Sequence, residues 1–547
     1  MIYPIPQKMT KIRKMKTPAA FTLSGDCRQL AQKLFGEKNI PLSSDGFEVR
    51  IQIADCERTS YIKELSRLTD EKYFITVDES GALIDASCEK GVFRAINTLV
   101  RLILGEEMFE GSVEDYPAFE VRGYIEGFYG KTWEHETRIS VMSLMAENGM
   151  NTFYYAPKDD IYHREKWSVL YPEKELGELE ELFRFANENF MEFFWCIGPG
   201  LSYCYTSEEH FDLLIKKLMQ LYDIGVRRFG LLLDDIPEEF NYDGDREKFG
   251  NIVYAHTDLV NRLYAALKKI DRSIKLTVCP TQYSGDEHGF YISKFGTAIP
   301  ADVSVFWTGA EICSRVLTCR EARELLSATG HKPLYWDNYP VNDCEMFKEM
   351  HINYIDGRDR KLYLDSEGLI SNVMEYAECS KIPLLTICDY LWNPERYDKE
   401  DSLRNAHRVV LGERAELFGY FADNLGVSCL SRYSSPFMTR TLHRVMFLYG
   451  KGEKAAALEA FRAYLDRVNE CNEMLGDSSV PLFAELGEWS RKFGMACDVL
   501  ECTYAVLDEP TVQRKARLRE TLDKYNADSV IFAGFCLRET AEKALAL

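Results

Sequence analysis

The chain has 547 residues, too many for one hydrophobic core, so roughly two to four domains are expected. Against 87 acidic residues stand 66 basic ones, a formal charge of -21. That balance argues against nucleic-acid phosphate or an anionic membrane surface as the main partner, because clustered Lys and Arg hold both.

The opening segment MIYPIPQKMTKIRKMKTPAAFTLSG is basic and lacks the apolar stretch of a signal peptide, and nothing later approaches a membrane span of about 20 apolar residues. A soluble, cytoplasmic protein is the expectation. The first 117 residues read as a small α/β domain. GFEVRIQIA, from Gly46 to Ala54, alternates like a strand, and YFITVDESGALIDASCEKGVFRAINTLVRLIL reads as strand, turn, strand and amphipathic helix. Phe93, Ile96, Leu99, Val100, Leu102 and Ile103 form that helix's apolar stripe. Pro117 marks a boundary.

From Arg122 onward, eight short apolar segments end in polar or glycine residues: GYIEGFYG, NTFYYAPKDD, EFFWCIGPG, RFGLLLDD, KLTVCPTQY, DVSVFWTG, PLYWDNYP and GLISN. Most precede a helical pattern, so residues 118–398 read as a (β/α)8 TIM barrel. Beyond Asp398 the strand signal ends. Leu458, Phe461, Leu465, Val468 and Leu475 share one helix face, and residues 399–547 read as an all-α helical bundle, a candidate surface for a homodimer. The 16 cysteines show no CxxC pair or zinc spacing and read mostly as small buried residues, so no disulfide framework, metal or cofactor is expected.

A TIM barrel carries its chemistry at the C-terminal strand ends. Here those ends supply Gly127, Phe128 and Tyr129; Lys158, Asp159 and Asp160; Asp234 and Asp235; Tyr283; Trp307; Trp336, Asp337 and Asn338, with Asn342 and Asp343 just beyond; and Asn372. Aromatics stack on sugar faces and Asp/Asn pairs grip hydroxyls, which makes glycoside hydrolysis the leading reaction class. Two-carboxylate glycosidases place their acids about 5 Å or about 6.5–9.5 Å apart across the bond, a geometry neighbours in sequence rarely reach. Adjacent carboxylates fit a division of labour in which a 2-acetamido sugar supplies its own nucleophile through an oxazoline. One carboxylate then steadies the acetamide while the other moves the proton.

Each feature has a plainer reading. The aspartates could cap a helix, Lys158 could be a surface ion partner of Asp159 or Asp160, the aromatics could be core, and the Asn residues could satisfy loop backbone. His163 and His288 read as structural or solvated, Asp159 and Asp160 as structural.

Taken in order, GYIEGFYGKTW, NTFYYAPKDDIYHREKW, LLLDDI, CPTQY, FWTG, WDNYPVND and GLISN closely resemble glycoside hydrolase family 84, the β-N-acetylglucosaminidases that include O-GlcNAcase. The resemblance covers about 120–395, and the segment from Tyr73 to Leu104 is similar to the α/β domain preceding bacterial members' barrels. It implies an exo-acting, retaining enzyme for terminal β-linked GlcNAc on glycans, glycosides or glycopeptides. Asp234 would polarise the acetamido group and Asp235 would be the general acid/base. Gly127, Lys158, Asn338 and Asp343 would hold sugar hydroxyls; Tyr283 and Asn372 would contact the acetamido side and Trp336 would line its pocket. Tyr129 would lie toward the leaving group. Cys344, directly after ND, departs from the family pattern and leaves the contacts beyond the sugar open. A hexosaminidase for free oligosaccharides or hyaluronan fragments, or a non-catalytic GlcNAc-binding module, are the competing readings.

Overall fold

The computed structural model describes residues 2–53 and 70–547. Its first part is a six-stranded sheet of β1 (Lys8–Lys14), β2 (Phe21–Gly25), β3 (Phe47–Ile53), β4 (Tyr73–Val77), β5 (Gly81–Ala86) and β6 (Phe109–Asp115), in the order β1-β6-β4-β5-β3-β2. The expected strand at 46–54 is β3; Ala54 itself lies outside the described residues. β4 and β5 form the expected hairpin, whose turn is tied by Asp78 Oδ1 accepting the backbone N–H groups of Ser80 and Gly81. Helix Glu89–Leu104 packs on β4 and β5 with all six predicted stripe residues buried.

Sequence reading missed β1, β2 and β6. The residues of β1, KMTKIRK, are almost all exposed, because this is an edge strand whose lysines and arginine discourage further pairing. Apolar alternation, the signal for strands, is therefore absent there.

All eight apolar segments become barrel strands. They are β7 (Val121–Glu126), β8 (Thr152–Tyr155), β9 (Glu192–Ile197), β10 (Arg228–Leu232), β11 (Lys275–Cys279), β12 (Ser304–Trp307), β13 (Pro333–Asp337) and β14 (Gly368–Asn372). Each pairs in parallel with the next, and β14 closes the ring on β7 with Gly368 opposite Val121. The interior is filled, not open. Tyr154 stacks on Phe194 at 4.2 Å between centroids and meets Phe306 edge-on at 5.1 Å, and Phe306 in turn meets the Trp336 ring at 5.2 Å. This aromatic column ends at Trp336, which floors the cavity at the C-terminal end of the barrel.

A buried ion cluster joins the first sheet to the barrel. Arg122 of β7 donates twice to Glu71 at 2.7 Å, and Arg94 donates to the same carboxylate at 2.8 Å. Burial pushes the Glu71 carboxyl up, but the two guanidinium groups outweigh it and hold it down at about 2. On the other side, Trp392 Nε1 donates to Asp115 of β6, and the Trp392 carbonyl accepts from Ala118, so the barrel's last helix, Ala377–Trp392, pins the chain entry to β7.

From Lys399 to the end every regular element is a helix. Phe461, Leu465, Val468 and Leu475 are buried as one face of helix Lys454–Leu475, and Leu458 is half-buried at its rim. The last two helices are Val512–Ala527 and Phe535–Leu545, with Ala533 in the left-handed region between them. The fifteen described cysteines are free, but only seven are buried and Cys344 is exposed, a correction to reading them mostly as core. Among the described residues, no helix is long and apolar enough to cross a membrane.

Candidate active site

At the C-terminal mouth of the barrel lies a cavity of about 570 Å³. Its lining includes Gly127, Tyr129, Lys158, Asp234, Asp235, Tyr283, Trp336, Asn338, Asp343 and Asn372, the residues singled out from the sequence. Trp307 is instead fully buried in the barrel wall. Asp159 and Asp160 do not line the cavity; Asp160 accepts from the Tyr155 and Tyr171 hydroxyls and is structural.

The two aspartates reach one cavity through the backbone. The ladder of β10 ends at Leu232, Leu233 still donates to the Cys279 carbonyl, and Asp235 then adopts φ 50°. In an extended strand their side chains would point to opposite faces. The left-handed turn at Asp235 breaks that alternation, and Asp is among the few L-residues that tolerate it.

Asp234 is buried, and its Oδ2 accepts from Lys158 Nζ at 2.8 Å. Burial pushes this carboxyl up, but the ammonium beside it outweighs burial and holds it below the usual aspartate range. The Lys158 ammonium is correspondingly held up by Asp234 against its own burial. Lys158 Nζ also lies 3.9 Å from Asp235 Oδ2 and 5.3 Å from the centre of the Tyr129 ring. Lys158, expected on sugar hydroxyls, thus also pairs with the aspartates. The other oxygen of Asp234, Oδ1, is buried with no hydrogen-bond partner.

Asp235 is more open, and its carboxylate sits between two phenols: Tyr129 donates to Oδ2 at 2.8 Å and Tyr283 to Oδ1 at 3.0 Å. Tyr283, expected on the acetamido side, therefore points its hydroxyl at Asp235. Burial raises both phenols, so they remain donors at neutral pH. Arg164 locks the group from behind, donating to the Tyr129 hydroxyl at 2.8 Å and to the Asp235 carbonyl at 2.9 Å. Sequence reasoning missed Arg164, although the quoted stretch YHREKW contains it, because it lies on the loop four residues beyond the last strand-end residue considered. A basic residue on the loop that carries Lys158 was the available signal.

The opposite wall is set by amides. Asn338 Oδ1 accepts from Trp336 Nε1 at 2.9 Å and Asn372 Nδ2 at 3.0 Å, while Asn338 Nδ2 donates to the Ile312 carbonyl. With its amide nitrogen so engaged, Asn372 is left with a buried Oδ1 that has no partner. Asn338, expected to grip sugar hydroxyls, spends its carbonyl oxygen on orienting Trp336 and Asn372. Asp343 Oδ2 accepts the Tyr129 backbone N–H at 2.7 Å, and burial raises its carboxyl. Gly127 is required by space: a Cβ there would lie 2.7 Å from the Trp336 ring and 3.2 Å from Asn372 Oδ1. His163 is buried below the site with Nδ1 on the Cys196 carbonyl, and burial lowers it to about 4, so it stays neutral.

Replacing Lys158 by Met tests this electrostatic arrangement. Without the ammonium, burial loses its main counterweight at Asp234 and the carboxyl rises. The wild-type pair contributes stability fully present above the ordinary aspartate pKa of about 3.9 and lost as pH falls through the depressed folded value. Lys158→Met is expected to lower kcat/KM at neutral pH by about 10- to 100-fold and to move the acid limb of the pH profile upward. An unmoved acid limb would reject Lys158 as the group that keeps Asp234 ionised.

Comparison with known proteins gives a consistent set of relatives. The beta-N-acetylglucosaminidase (NAGidase) family model matches residues 122–423. Protein O-GlcNAcases of Rattus norvegicus and Mus musculus are each 28% identical over 274 residues, 49% of this chain and 29% of theirs. The chain thus spans less than a third of the length of these relatives. An O-GlcNAc hydrolase mutant of Thermobaculum terrenum is similar in structure, with TM-score 0.72 and 30% identity over 78% of this chain and 94% of that one. CpGH84B is similar over the full length of both chains, with TM-score 0.84 and 26% identity.

Proposed function

This chain belongs to the beta-N-acetylglucosaminidase family, glycoside hydrolase family 84, and from that premise we propose that it is a retaining exo-enzyme removing terminal β-linked GlcNAc by substrate-assisted catalysis. The observation that carries this reading is Asp234 Oδ1, a buried carboxylate oxygen in the cavity with no donor of its own. Buried acceptors are expected to be hydrogen-bonded, and the N–H of a 2-acetamido group is the donor this one lacks.

In the first step the acetamido oxygen attacks C1, the bond from C1 to the glycosidic oxygen breaks, and Asp235 gives its proton to the departing oxygen. Asp234 accepts the acetamido N–H and stabilises the positive charge spreading over the forming oxazoline ring. In the second step Asp235 removes a proton from water, the water oxygen bonds to C1, and the ring opens to restore the acetamide. Two inversions at C1 give retention. Trp336 and Asn372 wall the acetamido side, and Asp343 offers its remaining oxygen to a sugar hydroxyl.

The substrates under this reading are GlcNAc-bearing glycans, glycosides or glycopeptides, and residues 118–398 are the catalytic unit. A cytoplasmic setting fits the fifteen free thiols, which a reducing compartment preserves. Exposed Phe447, Val512 and Phe535 on the C-terminal helices are the residues that would support a homodimer there.

Hydrolysis of 4-nitrophenyl N-acetyl-β-glucosaminide followed by proton NMR tests the proposal. The β-anomer of GlcNAc is expected as the first product, together with tight inhibition by a thiazoline analogue of the oxazoline. First release of the α-anomer would overturn retention, and indifference to the thiazoline would overturn substrate assistance.

A further inference from the structure

Beside the cavity runs a second, larger groove of about 840 Å³ that shares Asp235, Tyr283 and Ile312 with it. Its far wall comes from the loop after β10, including Ile236, Glu238, Glu239 and Phe240, and its other side includes Phe290 and Tyr291. Under the mechanism proposed above the leaving oxygen takes its proton from Asp235, so the aglycone must depart on the Asp235 side, which is where the groove begins.

Glu238 and Glu239 are exposed, and neither has a hydrogen bond or ion pair with another described residue. Around them lie exposed apolar surfaces, with Phe290 57% and Ile312 54% accessible. Arg246 is the cation of the lining, and its guanidinium reaches the Phe240 carbonyl at 3.5 Å. Asn251, Gln282, Tyr283 and Tyr291 also line the groove and are the residue types that meet sugar hydroxyls and faces. A neutral sugar would leave the charge of Glu238 and Glu239 unanswered, whereas carboxylates beside aliphatic and phenyl surface suit a Lys or Arg side chain, whose methylene stem lies on apolar surface while its head meets the negative charge.

We propose that this groove is the leaving-group subsite, and that Glu238 and Glu239 make it select polypeptide aglycones carrying Lys or Arg near the glycosylated residue. The inference rests on the GlcNAc-hydrolase reading but adds a substrate preference that the reading does not contain. It also gives the 840 Å³ of space a charge rule: flanking acidic residues on the peptide oppose binding.

The test compares two synthetic β-O-GlcNAc-serine peptides of equal length, one flanked by Lys and one by Glu. On wild-type protein, kcat/KM is expected to favour the Lys peptide by about fivefold or more at low salt, with the preference shrinking at 1 M NaCl. In the Glu238→Gln/Glu239→Gln double variant, with folding checked by thermal unfolding, the preference should vanish. Equal rates on the two peptides, or a preference that survives in the double variant, would overturn the proposal. So would cleavage of partially deacetylated chito-oligosaccharides with neither peptide turned over. Wild-type turnover of 4-nitrophenyl N-acetyl-β-glucosaminide runs in parallel: its failure rejects the enzymatic reading itself, while its success alongside equal peptide rates rejects only the groove assignment.

Discussion

Asp234→Asn is expected to lower kcat/KM by about 10²- to 10³-fold on activated and unactivated GlcNAc β-glycosides alike. The reason lies in what the carboxylate does before the leaving group matters. Under the proposed mechanism its unpartnered Oδ1 accepts the acetamido N–H, and its charge, maintained by Lys158 at 2.8 Å, opposes the cation that would form on the oxazoline. An amide keeps the shape and loses the charge, and it leaves the Lys158 ammonium facing a neutral group in a buried site. Because the proposed mechanism has ring formation precede or accompany departure of every aglycone, the loss should not depend on leaving-group pKa and should fall mainly on kcat. Rates on a series of aryl and alkyl glycosides, measured below the variant's own unfolding midpoint, decide the matter. Activity within tenfold of wild type, or a loss confined to poor leaving groups, would move Asp234 out of the acetamide-polarising role.

The barrel was legible because of where its strands sit. A parallel strand with helices outside and a filled core inside is buried on both faces and reads as a short apolar run, as in FGLL or VFW. The edge strand β1 has neither face buried and hides in a basic segment. β6 does alternate, with Phe109, Gly111, Val113 and Asp115 facing inward, but a glycine and an aspartate stand where the pattern asks for apolar residues. Asp115 is tolerated there because Tyr73, Trp392 and Gln7 all donate to it, a solution that no local window contains.

The site divides in the same way. Strand-end position and residue chemistry identified which residues line the cavity, since topology alone brings strand ends together. Which residue faces which was not legible. The link from Lys158 to Asp234 spans 76 positions, and that from Asn338 to Asn372 spans 34. Asn338 is the clearest case. Its residue type suggested a sugar contact, and only the positions of Trp336, Asn372 and the Ile312 carbonyl add that it also bonds to its neighbours in the cavity wall. Arg164 is the converse, a residue with no motif of its own that becomes important because Tyr129 and Asp235 happen to meet beside it.

Asp235→Asn should separate the two chemical steps. With alkyl or peptide-like aglycones, whose oxygen cannot leave without a proton, kcat is expected to fall by about 10²- to 10⁴-fold. With 2,4-dinitrophenyl N-acetyl-β-glucosaminide the first step needs no acid, so ring formation guided by the intact Asp234 should proceed and the fall should be much smaller. What limits that substrate is the second step, where water must lose a proton to a base that is no longer there. Azide needs no base. Added azide is therefore expected to restore turnover of the activated substrate and to give the β-glycosyl azide, while doing nothing for the alkyl glycoside, whose first step stays blocked. The environment of Asp235 suits both proposed jobs: Tyr129 and Tyr283 hold the carboxylate in one orientation and Arg164 donates to its backbone carbonyl, so under the proposed mechanism the same group would meet the departing oxygen and then the incoming water. A uniform loss across all leaving groups, unaffected by azide, would mean that Asp235 acts on the sugar's charge and not on the proton, and the roles of the two aspartates would have to be exchanged.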